Sequence, residues 1–320
     1  MIDGCGRRID HLRLSLTDRC NLACRYCAPG GAPRGGQAIH PGFAVQVVRW
    51  LVGRHGIRHV RLTGGEPLLY ADLIRVVEQL AGLETLHEVT LTTNGQALAG
   101  KARSLRDAGL SRVNISLDTL SPKRFDHLTR GANLRHTLAG IEAAVSHGLT
   151  PVKVNVVAQR GLNDHEFADI AEWGLTRGCV VRFLEVMPIG PLAHVMDRHL
   201  VPASEILDSL SQRFELRPIA RSLGQPARDY VATGRGLRGV IGLIAPTTRP
   251  FCSRCRRLRI THRGELVPCV QDHKSFDLSQ WWDGRTFDAN AADGTLLEAV
   301  RNKPEVGPRT QSFTMLSLGG

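Results

Sequence analysis

Apolar positions come in short runs at a steady spacing through the first two-thirds of the chain. Residues 12–16, 60–62, 89–91, 113–117, 152–157 and 180–184 are rich in Val, Ile and Leu. Stretches of helical periodicity lie between them, near 41–54, 71–80, 97–108, 134–147 and 163–174. Gly109, Gly148 and Gly178 stand where helix ends favour a left-handed residue. Six strands alternating with helices predict a parallel α/β structure. Six units are fewer than the eight that close a full barrel. The expected fold is therefore an incomplete (β/α)6 TIM-like barrel over residues 1–190, with an open doubly wound sheet as second choice.

Beyond Gly190 the rhythm changes. A helical stretch near 203–213 precedes β-like runs at 227–233, 239–245 and 257–269, the last broken by a turn at Arg263-Gly264. Residues 191–320 thus read as a smaller, mostly β C-terminal region, and 290–312 is polar and weakly patterned. In either α/β architecture ligands sit beyond the C-terminal ends of the strands. That rule selects the loop from Cys20 to Cys27, Gly64-Gly65-Glu66-Pro67, Thr92 to Gly95, Ser116 to Asp118, Lys153 with Asn155, and Glu185 to Pro188.

Composition narrows the class. At 320 residues and 42% hydrophobic the chain can bury a large core. No charge-free apolar run approaches the ~18 residues that span a bilayer, and Asp3, Arg7, Arg8 and Asp10 occupy the place of a signal peptide's apolar core. A cytoplasmic protein with no membrane partner is expected. A net charge of +11 calls for an anionic partner, either nucleic acid or a phosphorylated small molecule. Only five of the 41 basic residues are lysine, so single arginines carry little weight. Lys153 carries more, because an ammonium inside an apolar strand needs an anion.

Eight cysteines without an export signal point to thiolate chemistry rather than disulfides. Six of them form two triplets: Cys20-x3-Cys24-x2-Cys27 and Cys252-x2-Cys255-x13-Cys269. A structural metal site is usually closed by four protein ligands, so each triplet leaves one metal position open. A zinc site completed by His11 or His40 is the alternative for the first. Arg249, Arg254, Arg256, Arg257, Arg259 and Arg263 crowd the second, with no acidic residue from 249 to 263. So many guanidinium groups suit a polyphosphate. A zinc ribbon on nucleic acid is the rival reading, but it would want a second Cys-x2-Cys pair. Cys179 reads as an ordinary buried cysteine and Cys5 is unassigned.

Cys20-x3-Cys24-x-Tyr26-Cys27, followed after the second strand by Gly64-Gly65-Glu66-Pro67, resembles the signature of the radical S-adenosylmethionine (SAM) superfamily. Within it, Phe251-Cys252-x2-Cys255-Arg256-Arg257-Leu258-Arg259 with Cys269 resembles the GTP 3′,8-cyclase family of molybdenum cofactor biosynthesis, and the resemblance extends over nearly the whole chain. It implies a lyase that converts GTP to (8S)-3′,8-cyclo-7,8-dihydroguanosine 5′-triphosphate using SAM and two 4Fe–4S clusters. Cys20, Cys24 and Cys27 would hold one cluster and Cys252, Cys255 and Cys269 the other. Tyr26, Gly64, Gly65, Glu66, Ser116 and Met187 would bind SAM. Arg13, Arg61, Thr92, Lys153, Arg182 and Arg257-Leu258-Arg259 would bind GTP. Arg257, Arg259 and the terminal Gly319-Gly320 would reach the reacting centre. The resemblance further implies an external electron donor, a homodimer, and a downstream cyclic pyranopterin monophosphate synthase that takes the product. Two departures are visible: Ala28 where the family usually has Met, and His59 where a lysine is common. They keep open a divergent relative acting on another nucleotide or small molecule, beside a basic zinc-binding nucleic-acid module.

Overall fold

The computed structural model describes residues 1–28, 30, 36–193, 195–220, 224–307 and 315–318. Strands β1 (His11–Ser15), β2 (His59–Thr63), β3 (Glu88–Thr93), β4 (Arg112–Ser116), β5 (Lys153–Ala158) and β6 (Val180–Glu185) coincide with the six apolar runs. Helices α1 (Pro41–His55), α2 (Leu73–Ala81), α3 (Ala102–Asp107), α4 (Pro122–Thr129), α5 (Leu134–Ser146) and α6 (Phe167–Thr176) connect them. The C-terminal region adds α7 (Met196–His199), α8 (Ala203–Ser211), β7 (Glu215–Pro218), β8 (Arg228–Gly234), β9 (Leu237–Ile244), β10 (Arg257–Ile260), β11 (Glu265–Val267), β12 (Phe276–Asp277), α9 (Ala289–Arg301) and α10 (Met315–Leu318).

All these strands join one sheet, in the order β12-β11-β10-β1-β2-β3-β4-β5-β6-β9-β8-β7. The six expected strands are parallel neighbours, and the C-terminal region extends them at both edges: β10 runs parallel to β1, and β9 parallel to β6. The antiparallel strands β11-β12 and β8-β7 lie outside these. The β-rich end of the chain is therefore built into the same partial barrel and is no separate layer. Among the described residues no helix is long and apolar enough to cross a membrane.

Local sequence explains the helices. α1 starts at Pro41, whose missing N–H costs nothing in a first turn, and the His40 ring accepts from the Gly42 amide. Ala44, Val47, Val48 and Leu51 form an i, i+3, i+4, i+7 stripe that is wholly buried. Truncating Leu51 to Ala would cost about 2–5 kcal/mol. Gly109, Gly148 and Gly178 all adopt positive φ just past α3, α5 and α6. Besides the single-turn helices α7 and α10, two helices escape the apolar periodicity. α4 is announced by Ser121-Pro122, with the Ser121 side chain accepting from the Arg124 amide, and α9 by Asp288, which accepts from the Asn290 and Ala291 amides.

Strands of a parallel sheet covered on both faces usually read as unbroken apolar runs. Several of these alternate instead. One register row, Leu258-Leu12-Val60-Val89, is fully buried under the helices. The adjacent row, Arg259-Arg13-Arg61-Thr90, faces the other way. A barrel interior lined by guanidinium groups is a cavity for an anion rather than a core.

Candidate active site

Two cavities share Arg13, Arg61, Arg182 and Arg257 in their walls. The first also contains Thr92, Met187, Arg259, Lys303 and the second triplet, Cys252, Cys255 and Cys269. The second reaches the N-terminal ends of the strands, where Lys153 stands with His11, His59, Glu88 and Arg112. Lys153 is the first residue of β5, so its expected placement late in a strand is corrected: the polar interior runs through the barrel to the opposite mouth. Leu258 is also corrected, since its side chain lies on the apolar face and belongs to the core.

The charge of this interior is strained. Burial, with Arg259, Arg257 and Arg61 alongside, presses Arg13 well below the ordinary arginine range. Burial and then Arg112 and Arg182 bring Arg61 down to about 9. Burial and Arg257 bring Arg259 to about 10. Lys153 falls to about 7 through burial, then Arg182, Arg112 and Arg61. A guanidinium keeps its proton in a protein, so the strain is relieved by an anion entering the cavity. The nearby carboxylates are already committed. Glu88 takes a bidentate pair from Arg112 at 2.6 and 2.9 Å, and Asp229 stands 3.8 Å from Arg182. Glu185 accepts from the amides of Ala203, Thr247 and Thr248 and from the Thr248 hydroxyl.

The first triplet and the Gly-Gly-Glu-Pro segment are interlocked. The Gly65 amide donates to Thr17 at 2.6 Å and the Glu66 amide to Arg19 at 2.7 Å. A Cβ on Gly64 or Gly65 would collide with the Thr17 or Arg19 carbonyl, so these glycines are required by the approach to the cysteine loop itself. Buried Glu66 accepts from the Leu68 amide, the Thr93 hydroxyl and the Asn94 amide at 3.0, 2.6 and 2.8 Å. These donors give Glu66 a framing role between the second and third strands, beside the SAM contact that the resemblance implies. The Asn94 side chain donates to Asn21 inside the cysteine loop at 2.9 Å. The Tyr26 hydroxyl donates to Asp118 at 2.8 Å, and Asp118 also accepts from the Val157 amide. Burial raises Asp118 to about 6 despite these donors. Ser116 ends β4 and Met187 follows β6. The first triplet, Tyr26, residues 64–66 and Ser116 lie outside the lining of the arginine-rich cavity.

All six cysteines are free. Ligands of one tetrahedral zinc stand about 3.8 Å apart, as Zn–S bonds of ~2.3 Å require. Neither triplet is that tight: among the described residues, the group of three potential ligands drawn within 4.8 Å of one another is Asp10, His11 and His59. That group is internally satisfied, since Asp10 pairs with His11 at 2.6 Å and with Arg8 and Arg256. His11 stacks on His59 at 4.3 Å, which places it in the cavity at the far mouth. The cysteine spacing suits a multi-iron cluster, whose thiolates attach to different irons.

The strand-end rule picks out Asp118 and Glu185 but gives them no role, and it passes over Lys303. Lys303 had a usable signal, the same rarity of lysine that singled out Lys153. The tail lies close by: buried Leu318 in α10 offers its carbonyl to Arg259 at 3.5 Å. Gly319 and Gly320 lie outside the described residues.

Comparisons with known proteins agree with this arrangement. Residues 14–174 match the radical SAM superfamily and residues 179–307 the Molybdenum Cofactor Synthesis C family. The GTP 3′,8-cyclase of Moorella thermoacetica is 42% identical over 89% of this chain and 85% of its own length. That of Geobacter sulfurreducens is 38% identical over 100% and 99%. Streptococcus suis SuiB bound to S-adenosylmethionine superposes with a TM-score of 0.59 at 15% identity, over 95% of this chain and 68% of that one, which shows the fold. By sequence, architecture and the two cysteine triplets, the chain belongs to the GTP 3′,8-cyclase family of the radical SAM superfamily.

Proposed function

We propose that the protein converts GTP to (8S)-3′,8-cyclo-7,8-dihydroguanosine 5′-triphosphate in molybdenum cofactor biosynthesis. The observation that carries the reading is the cavity that places Cys252, Cys255 and Cys269 beside Arg13, Arg61, Arg182, Arg257 and Arg259. Cys20, Cys24 and Cys27 would hold one 4Fe–4S cluster, and the second triplet would hold the other. When bound there, the first cluster would supply one-electron reduction of SAM and so the radical chemistry of the reaction.

The chain positions the reactants and keeps water from them. Arg13, Arg61, Arg182 and Lys153 receive the triphosphate along the barrel interior, which places the base toward the second triplet. Arg257, stacked over Phe251 at 5.2 Å, and Arg259 flank the base end, where the Leu318 carbonyl meets Arg259; the reacting-centre role of Gly319 and Gly320 rests on the family resemblance alone. Thr92 lines this cavity too, while Ser116, Met187, Tyr26, Gly64 and Gly65 surround SAM. Glu66 and Asp118 fix the loop geometry there. Residues 1–190 generate the radical and 191–320 complete the substrate site. We place the enzyme in the cytoplasm as a homodimer served by an external electron donor and a downstream synthase.

Anaerobically reconstituted protein with GTP, SAM and a reductant should yield 5′-deoxyadenosine and the cyclised nucleotide in step. 5′-Deoxyadenosine formed independently of GTP, with no cyclised product, would reject the substrate and leave the radical chemistry standing. A screen of other purine nucleotides tests the divergent reading raised by Ala28 and His59.

A further inference from the structure

Lys303 follows α9, and its side chain is buried against the second triplet. Its ammonium donates to the carbonyl oxygen of Arg257 at 2.9 Å and to that of Pro268. Arg257 lies two residues beyond Cys255, and Pro268 immediately precedes Cys269. Both acceptors are neutral, and among the described residues no carboxylate is in ion-pair contact with this lysine. The groups of opposite charge that face it are Cys255 and Cys269. Arg7, packed beside it, provides a contrast. That guanidinium is also buried and donates to the carbonyls of Cys252, Pro304 and Glu305, but it carries its own counter-ion in Asp3 at 2.7 Å.

A buried ammonium is costly unless an anion accompanies it. Lys303 finds that anion only where thiolates gather, and it is tied to the two backbone segments that present them. We propose that Lys303 is the counter-ion and positioning residue of the cluster held by Cys252, Cys255 and Cys269, offsetting its charge while fixing the segments that carry Cys255 and Cys269. This rests on the assignment of a second cluster made above. A positive charge beside a cluster favours its reduced form, so removing the charge moves the potential to more negative values.

Lys303→Gln keeps an amide donor for the carbonyls and removes the charge; Lys303→Arg keeps the charge. Iron and sulfide are counted in each reconstituted full-length enzyme. The potential of the second cluster is read by electron paramagnetic resonance in a chain with Cys20, Cys24 and Cys27 replaced by serine. The expected result is that K303Q loses up to about half of the total iron, one cluster of two, or retains it at a more negative potential, while K303R stays near the parent. Full loading of K303Q at an unchanged potential overturns the inference. So does equal damage in K303R, which would make the carbonyl contacts and not the charge decisive. A K303Q chain that fails to fold before loading also overturns it, since the charge would then serve the chain rather than the cluster. Absence of second-cluster iron from the parent would instead reject the cluster assignment itself.

Discussion

The ionisable groups that press on Cys20 and Cys24 include Glu66 and Asp118; those around Cys255 and Cys269 are Arg257, Arg259 and Lys303. Both triplets supply three thiols in a partly buried pocket, and burial raises Cys269 of the second as it raises the first triplet, yet Cys255 departs from them. In the first, burial raises all three, and the neighbouring acids or cysteines add to it; Cys27 is pushed up to about 12. In the second, burial raises Cys255, but Arg257 and Lys303 outweigh it and bring the thiol down to about 6. One site is flanked by the carboxyl groups of Glu66 and Asp118, which accept the hydrogen bonds that brace it. The other holds excess positive charge beyond what three thiolates offset. Equal ligand number therefore does not mean equal role: the first suits a cofactor that brings its own positive sulfonium, the second a polyanion.

The largest effects should come from breaking one triplet at a time. Cys252→Ser should remove about half of the iron and abolish cyclisation, and Cys24→Ser should do the same while ending SAM cleavage. Iron analysis beside turnover checks both; full iron or surviving cyclisation in either variant counts against the two-cluster account.

Next comes the arginine row. Arg259→Ala would remove the proposed charged contact to substrate and the anchor of the Leu318 carbonyl, and should lower kcat/KM about 10- to 100-fold. Steady-state kinetics with GTP varied would show it, and an unchanged value would remove Arg259 from the site.

A smaller, pH-dependent effect belongs to Lys153. In the free protein it is charged below about pH 7 and neutral above, because burial, Arg182, Arg112 and Arg61 depress it. A triphosphate binds the charged form, so affinity falls as pH rises through 7, and binding at alkaline pH takes up a proton. Lys153→Met should weaken GTP binding about tenfold near pH 6 and progressively less above pH 7, by calorimetry in buffers of differing ionisation heat. A pH-independent gap would contradict the assignment. The smallest effect is expected for Tyr26→Phe, which deletes one hydrogen bond to Asp118 and should cost about 1 kcal/mol at the first site while leaving the second cluster's spectrum unchanged.

The contrast between the sites also shows what the chain made legible. The six strands, the C-cap glycines and both triplets stand out because apolar periodicity, positive-φ glycines and cysteine spacing are local signals. α4 and α9 were missed because their evidence sits in the caps Ser121 and Asp288 rather than in a stripe. The joining of β9 and β10 to the edges of the barrel was illegible, since strand order depends on contacts far apart in sequence. The same distance hid the roles of Glu66, Asp118 and Lys303. Each is polar and buried, and its meaning lies in the partner: Thr93 and Asn94 for Glu66, Tyr26 for Asp118, and the segments flanking Cys255 and Cys269 for Lys303. Lys153 was found by its rarity but assigned to the C-terminal mouth although the run 152–157 already places it at the strand's start; what periodicity does not reveal is that the polar interior reaches the opposite mouth.

The division of labour between the triplets is tested most directly by electron paramagnetic resonance of the reduced protein, with GTP and SAM added separately to chains retaining one triplet each. The account predicts that GTP alters the spectrum of the cluster held by Cys252, Cys255 and Cys269, and that SAM alters that of the cluster held by Cys20, Cys24 and Cys27. GTP acting on the first cluster, or leaving the second unchanged at saturating concentration, would contradict it.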